Sequence, residues 1–200
     1  MLVALEILGL VAFAASGALA AVRARLDVFG VIVLGLTTAL GGGIIRDVLL
    51  GVHPPTTLRT WPYLTAGALT AILVFAFHPQ VARLRRPMLV ADAIGLGLFA
   101  TSGTGVALAL DVPVYTACLI GMTTGIGGGA IRDLLVGEIP LVLRREIYAL
   151  AALFGAVLVG AGHLAGLPAT PVLAGAAAVV VAVRLLALWR QWHAPVAREA

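Results

Sequence analysis

Gly41-Gly42-Gly43-Ile44-Ile45-Arg46-Asp47 returns 86 residues later as Gly127-Gly128-Gly129-Ala130-Ile131-Arg132-Asp133. Both copies lie inside long apolar runs. Each glycine there weakens a helix by about 1 kcal/mol relative to alanine, and a charged pair at membrane depth is costly. A cost met twice points to a function.

The 200 residues are 62% hydrophobic and 11% charged, with a mean hydropathy of +1.11, far from the composition of a soluble domain. The chain reads as an integral membrane protein. It has no lysine, so all 13 basic residues are arginines. Most of these stand between apolar runs, so the net charge of +4 reads as membrane orientation rather than nucleic-acid binding. Cys118, the single cysteine, has no partner for an internal disulfide and reads as a small packing residue. The N-terminus lacks a basic n-region, and the first apolar run is expected to be retained as a span.

Runs of about 20 apolar residues suffice to cross the hydrocarbon core. Seven spans are expected, at residues 2–22, 28–50, 61–78, 88–110, 114–136, 147–165 and 171–189. Arginine counting places Arg23, Arg25, Arg83, Arg85, Arg86, Arg144, Arg145, Arg190 and Arg198 on one side and Arg59 on the other. The N-terminus is therefore expected outside and the C-terminus in the cytoplasm. Trp61, Tyr63, Trp189 and Trp192 fall at span ends, as interfacial anchors do. His53, His78, His163 and His193 lie in or near connections without metal-ligand spacing.

At the same offset of 86, Phe13 through Pro54 aligns with Phe99 through Pro140 without a gap, and about two in five positions are identical. Ser16 falls on Ser102, Gly17 on Gly103, Thr37-Thr38 on Thr123-Thr124 and Glu6 on Asp92. A repeat of three spans must re-enter the membrane from the opposite side. The expected architecture is all-α: an inverted repeat (residues 1–86 and 87–170) followed by a seventh span and cytoplasmic tail (171–200).

Two readings of the glycines compete. They permit close helix packing, as small residues do in membranes, or they break the second and fifth spans and expose backbone groups to a wet cavity. The doubled motif favours breaks, which carbonyl oxygens would line for cations and amides for anions. Arg46 and Asp47 are chain neighbours pointing in different directions on a helix, so they are not expected to pair. Glu6 lies at the depth of Arg46, and Asp92 at that of Arg132, so these are the proposed ion pairs. Asp47 and Asp133 would then face the mouths of a cavity. The competing reading has the arginines snorkelling to the interface with the aspartates solvated beside them. Ser16, Thr37, Thr38, Ser102, Thr123 and Thr124 are candidate pore hydroxyls, although a mid-helix threonine more often bonds back to its own helix. Neither a Walker-type loop nor a nucleophile elbow occurs, so ATP-driven transport and hydrolytic enzymology are poorly supported.

On these residues, the paired Gly-Gly-Gly-x-x-Arg-Asp motifs within three-span repeats, the sequence resembles the prokaryotic trimeric intracellular cation (TRIC) channels, a group also labelled as a glycine transporter domain. The resemblance implies a homotrimer whose protomers each conduct monovalent cations through their own pore. It also implies a non-enzymatic protein of the prokaryotic inner membrane with lipid as its surroundings, no nucleic-acid partner, and no cofactor beyond permeant potassium or sodium. The motif residues Gly41 to Gly43, Arg46 and Asp47, with Gly127 to Gly129, Arg132 and Asp133, would form the pore and its mouths. The sequence departs from animal members in lacking their Lys-Glu-Val motif. The expected function is a potassium channel. The alternative is a secondary transporter for glycine or another small zwitterion, its carboxylate held at a half-helix N-terminus near Gly43 or Gly129.

Overall fold

The computed structural model describes residues 2–77, 85–144 and 146–190. Its elements are α1 (Leu2–Arg23), α2 (Val28–Leu49), a short α3 (Thr56–Arg59), α4 (Trp61–Ala76), α5 (Arg85–Ala109), α6 (Val114–Leu135), a short α7 (Leu141–Arg144), α8 (Glu146–Leu164) and α9 (Ala169–Arg190). Arg83, Arg145 and Arg198 from the orientation count, the interfacial Trp192, and His78 and His193 lie outside the described residues. Six of the helices are long and apolar enough to cross a membrane. The remaining expected span, the third at 61–78, is the shorter α4, whose 16 residues rise about 24 Å against a hydrocarbon core of about 30 Å. α3 and α7 were not anticipated.

The expected helix breaks are absent: α2 and α6 run continuously through both glycine triplets. Three glycines cost a helix about 3 kcal/mol together, whereas every backbone group left unpaired in hydrocarbon costs several kcal/mol. The unbroken helix wins. What the glycines do is bring two backbones together. A Cβ on Gly42 would fall inside the van der Waals shell of the Thr124 carbonyl oxygen, and one on Gly128 inside that of Thr38. A Cβ on Gly41 would stand 2.6 Å from Ile131 Cδ1, and one on Gly127 2.8 Å from Ile45 Cδ1. As the α2 number rises across these contacts, the α6 number falls, so the two helices cross antiparallel. Such a contact is held by dispersion and by weak Cα–H···O interactions, which need both backbones at close range.

α1 and α5 repeat the arrangement beside this crossing. Gly9 faces Phe99 and Gly95 faces Phe13. The two phenylalanines, equivalent in the repeat, stack with ring centroids 5.4 Å apart and planes at 14°, within the range of favourable offset aromatic pairs. α9 has no counterpart. It packs on α5 and α8, where Gly97 lies against the Ala177 carbonyl and Gly155 against Val180.

α2 and α6 end alike. Gly51 and Gly137 take positive φ of 71° and 73°. The amides of Val52 and Glu138 bond back to the carbonyls of Asp47 and Asp133, each at 2.8 Å. This is the glycine-terminated C-cap that turns a chain sharply out of a helix.

The crossing makes a prediction about tolerance. Gly42→Ala or Gly128→Ala sets a methyl group against backbone that cannot rotate away, and should destabilise the detergent-solubilised protein by about 1–3 kcal/mol or more. Gly175→Ala, on an exposed helical position with open space around it, should stay within about 0.5 kcal/mol of the parent. Thermal unfolding of the three variants measures this, and equal stability throughout would contradict the close crossing.

Candidate functional site

Four residues past the crossing on each helix stands a buried arginine. Arg46 Nη1 donates to Glu6 Oε1 at 2.5 Å, and Arg46 Nε donates to Asp47 Oδ1 at 2.8 Å. Glu6 also accepts from the Tyr63 hydroxyl at 2.9 Å through Oε2. Asp47 Oδ2 accepts from the backbone amide of Thr56, the first residue of α3, at 2.7 Å. One arginine thus ties together α1, α2, α3 and α4.

The second half carries the same network. Arg132 Nη1 donates to Asp92 Oδ1 at 2.6 Å, and Nε donates to Asp133 Oδ1 at 2.9 Å. Its Nη2 lies 2.7 Å from the same Asp133 oxygen, close enough for ion pairing at an angle that misses hydrogen-bond geometry. The Tyr148 hydroxyl donates to Asp92 at 3.2 Å, and Asp133 Oδ2 accepts from the amide of Leu141, the first residue of α7, at 2.8 Å. Because α2 and α6 cross antiparallel, the two networks lie on opposite sides of the crossing.

The structure brings Glu6 to Arg46 and Asp92 to Arg132. It also joins Arg46 to Asp47 and Arg132 to Asp133, which neighbour spacing argued against. The spacing rule holds for side chains pointing straight out of a helix, whereas a long guanidinium arm can bend around the arc of about 100° between successive residues. Neither aspartate stands free at a cavity mouth: each has both oxygens engaged, one by the arginine and one by a loop amide. Asp133 does border a cavity of about 170 Å³, shared with Arg23, Met88, Val136 and Glu138.

The threonines follow the backbone reading. Thr38 and Thr124 donate to the carbonyls of Leu34 and Ile120, both at 2.6 Å, and Thr37 and Thr123 likewise bond within their own helices. Such bonds satisfy the hydroxyl proton without opening the helix. The serines differ between halves. Ser16 Oγ accepts from Arg132 Nη1 at 2.5 Å and donates to the Met88 carbonyl at 3.3 Å, while Ser102 Oγ is buried with no hydrogen-bond partner among the described residues.

The networks differ in burial as well. Glu6 retains 12% exposure, whereas Arg132 and Asp92 are fully enclosed. Arg184 of α9, 1% exposed, places its guanidinium carbon 4.7 Å from the centroid of the Tyr148 ring, a cation–π contact.

Sequence reasoning missed the tyrosines and Arg184. Tyr63 and Tyr148 lie 85 residues apart, not 86, because Pro54-Pro55-Thr56 in the first half corresponds to Pro140-Leu141 in the second. An alignment allowing one gap would have paired them. Arg184 has a plainer signal, a lone internal arginine in the otherwise apolar stretch Ala169 to Trp189.

The protein-family model described as a glycine transporter matches this chain twice, over residues 3–79 and 89–163. The two matches begin 86 residues apart, the spacing of the internal repeat. A membrane protein of the UPF0126 group from Deinococcus radiodurans is 45% identical over 192 residues, covering 94% of this chain and 87% of the relative. A solved TRIC cation channel, determined to explain its conductance, is 39% identical with a TM-score of 0.89 over 98% of this chain and 97% of that one. This chain belongs to the TRIC family. The TRIC orthologue from Rhodobacter sphaeroides, a trimeric intracellular cation channel, superposes with a TM-score of 0.91 at 37% identity, over 96% of this chain and 98% of that one. With these relatives, the long apolar helices identify the TRIC chain as a multi-pass membrane protein.

The unequal burial of the networks predicts unequal costs. Asp92→Asn strips a carboxylate from a fully enclosed arginine and should cost about 3–5 kcal/mol, whereas Glu6→Gln, at a partly exposed site, should cost distinctly less. Tyr148→Phe and Tyr63→Phe each remove one hydrogen bond to a carboxylate, worth about 1.5–3 kcal/mol. Denaturant or thermal unfolding in detergent gives the ranking, and a costlier Glu6→Gln than Asp92→Asn would refute it.

Proposed function

We propose that this TRIC protein is a monovalent cation channel, chiefly for potassium, that works as a homotrimer with one conduction path in each protomer. The observation that carries this reading is the charge balance at the two networks. Each sets two carboxylates against a single arginine, so the ion-paired groups of each network, on either side of the α2–α6 crossing, carry one more formal negative charge than positive. Fixed negative charge in a low-dielectric surrounding attracts cations and repels anions. The crossing of the glycine triplets is then the constriction, and passage requires α2 and α6 to part there. Ion movement down an electrochemical gradient needs no chemical step, so no enzymatic role is assigned.

In this reading the two halves form an inverted three-helix repeat in a prokaryotic cell membrane. The arginine count puts the Glu6–Arg46 network toward the outside and the Asp92–Arg132 network toward the cytoplasm. The glycine transporter description of the matching family model supplies a second reading. A zwitterion needs a group to hold its carboxylate, and the half-helix N-termini expected at Gly43 and Gly129 do not exist in continuous helices. Both arginines are also already occupied by carboxylates. These points favour the cation.

Purified protein in liposomes under an imposed voltage separates the two. The channel reading expects single-channel potassium currents in the absence of glycine, and saturable glycine uptake without such currents would replace it with the transporter.

A further inference from the structure

Resting on the cation-channel reading above, we propose that the cavity beside Asp133 is the vestibule through which cations reach the Asp92–Arg132 end of the path. Arg23 and Glu138 set the rate of entry there with opposite signs. Both residues lie outside the glycine motif and outside the two networks.

The cavity holds about 170 Å³, room for several waters. Residues of α1, α5 and α6 line it. Two contacts join it to the Asp92–Arg132 network. Asp133 belongs to both, and Met88, which lines the cavity, accepts through its carbonyl from Ser16, the serine that Arg132 also reaches. The glycine-terminated end of α6 brings in Glu138. Gly137 turns the chain at positive φ, and the Glu138 amide bonds back to the Asp133 carbonyl, which places this exposed residue on the cavity.

Arg23, the last residue of α1, is likewise exposed and lines the same cavity. It is weakly held. Its Nη1 donates to the Met88 sulfur at 3.5 Å, and a thioether is a poor acceptor. Among the described residues no carboxylate lies in ion-pairing range of Arg23, although Asp133 and Glu138 share its cavity. Asp133 is already engaged by Arg132 and the Leu141 amide. Among the described lining residues, the charges left without an ion pair are therefore Arg23 and Glu138. An arginine in a last helical turn also complements the helix dipole, but that role needs no cavity.

The repeat assigns this vestibule to one end. At the offset of 86, Arg23, Met88 and Glu138 correspond to Ala109, Leu2 and Val52, none of which carries a charged side chain. A unit charge about 7 Å from an ion's route through water changes the local potassium concentration by about two- to threefold. The Debye length falls from about 10 Å at 0.1 M salt to about 3 Å at 1 M, so this effect fades as salt rises.

Single channels of the full-length protein in planar bilayers, with the same potassium chloride on both sides, test this at about 0.1 M and about 1 M. At the lower salt Arg23→Gln should raise the conductance about two- to threefold and Glu138→Gln should lower it by a similar factor. At the higher salt both should match the wild type. Arg23→Lys, which keeps the charge, should conduct like the wild type throughout. Arg190→Gln removes an exposed arginine of α9 that does not line the cavity, and should change nothing at either salt. A merely structural Arg23 would lower stability without a salt-dependent change in conductance. A conducting Arg23→Gln with wild-type conductance at the lower salt overturns the proposal and leaves the channel reading intact. So does an Arg190→Gln effect as large as that of Arg23→Gln. If Arg23→Gln does not fold, Glu138→Gln decides, and an unchanged conductance at the lower salt has the same consequence. No potassium current from the wild type removes the channel reading and the vestibule together.

Discussion

At the crossing of α2 and α6, the glycines of each helix lie against the carbonyl oxygens of Thr38 and Thr124 in the other. With no side chains between them, the two backbones approach as closely as helices can, and this proximity fixes the rest of the structure. It sets Arg46 and Arg132 one turn to either side of the contact. It brings α1 and α5 alongside, so that Phe13 and Phe99 meet. The third glycine of each triplet serves a different neighbour: Gly43 makes room for Thr57 in α3, and Gly129 for the hydroxyl of Tyr148. The third glycine clears space beside the crossing, for the short helix α3 in the first half and for the Asp92–Tyr148 part of the charged network in the second.

Burying an arginine with two carboxylates is a poor route to stability. Desolvating the ions cancels much of their attraction, and apolar replacements often do as well or better. The value of these networks lies in geometry. They join four and five helices respectively through directional bonds, including the first amides of α3 and α7, which would otherwise lack partners. Such a network tolerates few alternative arrangements, so it holds the helices on either side of the crossing in register.

Much of this was legible in the sequence. The depth of Glu6 relative to Arg46 follows from span ends and helical rise, and the offset of 86 exposes the duplication. The helix breaks were misread because glycine's cost is local while its compensation is not. The backbone that rewards Gly42 belongs to Thr124, 82 residues away, and nothing in the motif announces it. The Arg46–Asp47 bond was hidden for a related reason, since Asp47 is oriented by the amide of Thr56 across a turn. Arg184 escaped notice because the repeat directed attention to paired positions and α9 has no pair.

The aspartates at the ends of α2 and α6 bear on how the two halves have drifted apart. Asp47 and Asp133 each grip the next segment by its backbone amide, a group every residue but proline carries. The segments they hold, Thr56-Thr57-Leu58-Arg59 and Leu141-Val142-Leu143-Arg144, share only their final Leu-Arg and differ at the two residues nearest the aspartate, yet both begin a short helix at the same place. A contact made to the main chain leaves side chains free to vary. The duplication can therefore fade from the sequence past Pro140 while its geometry persists, and a search by residue identity will lose it sooner than one by shape.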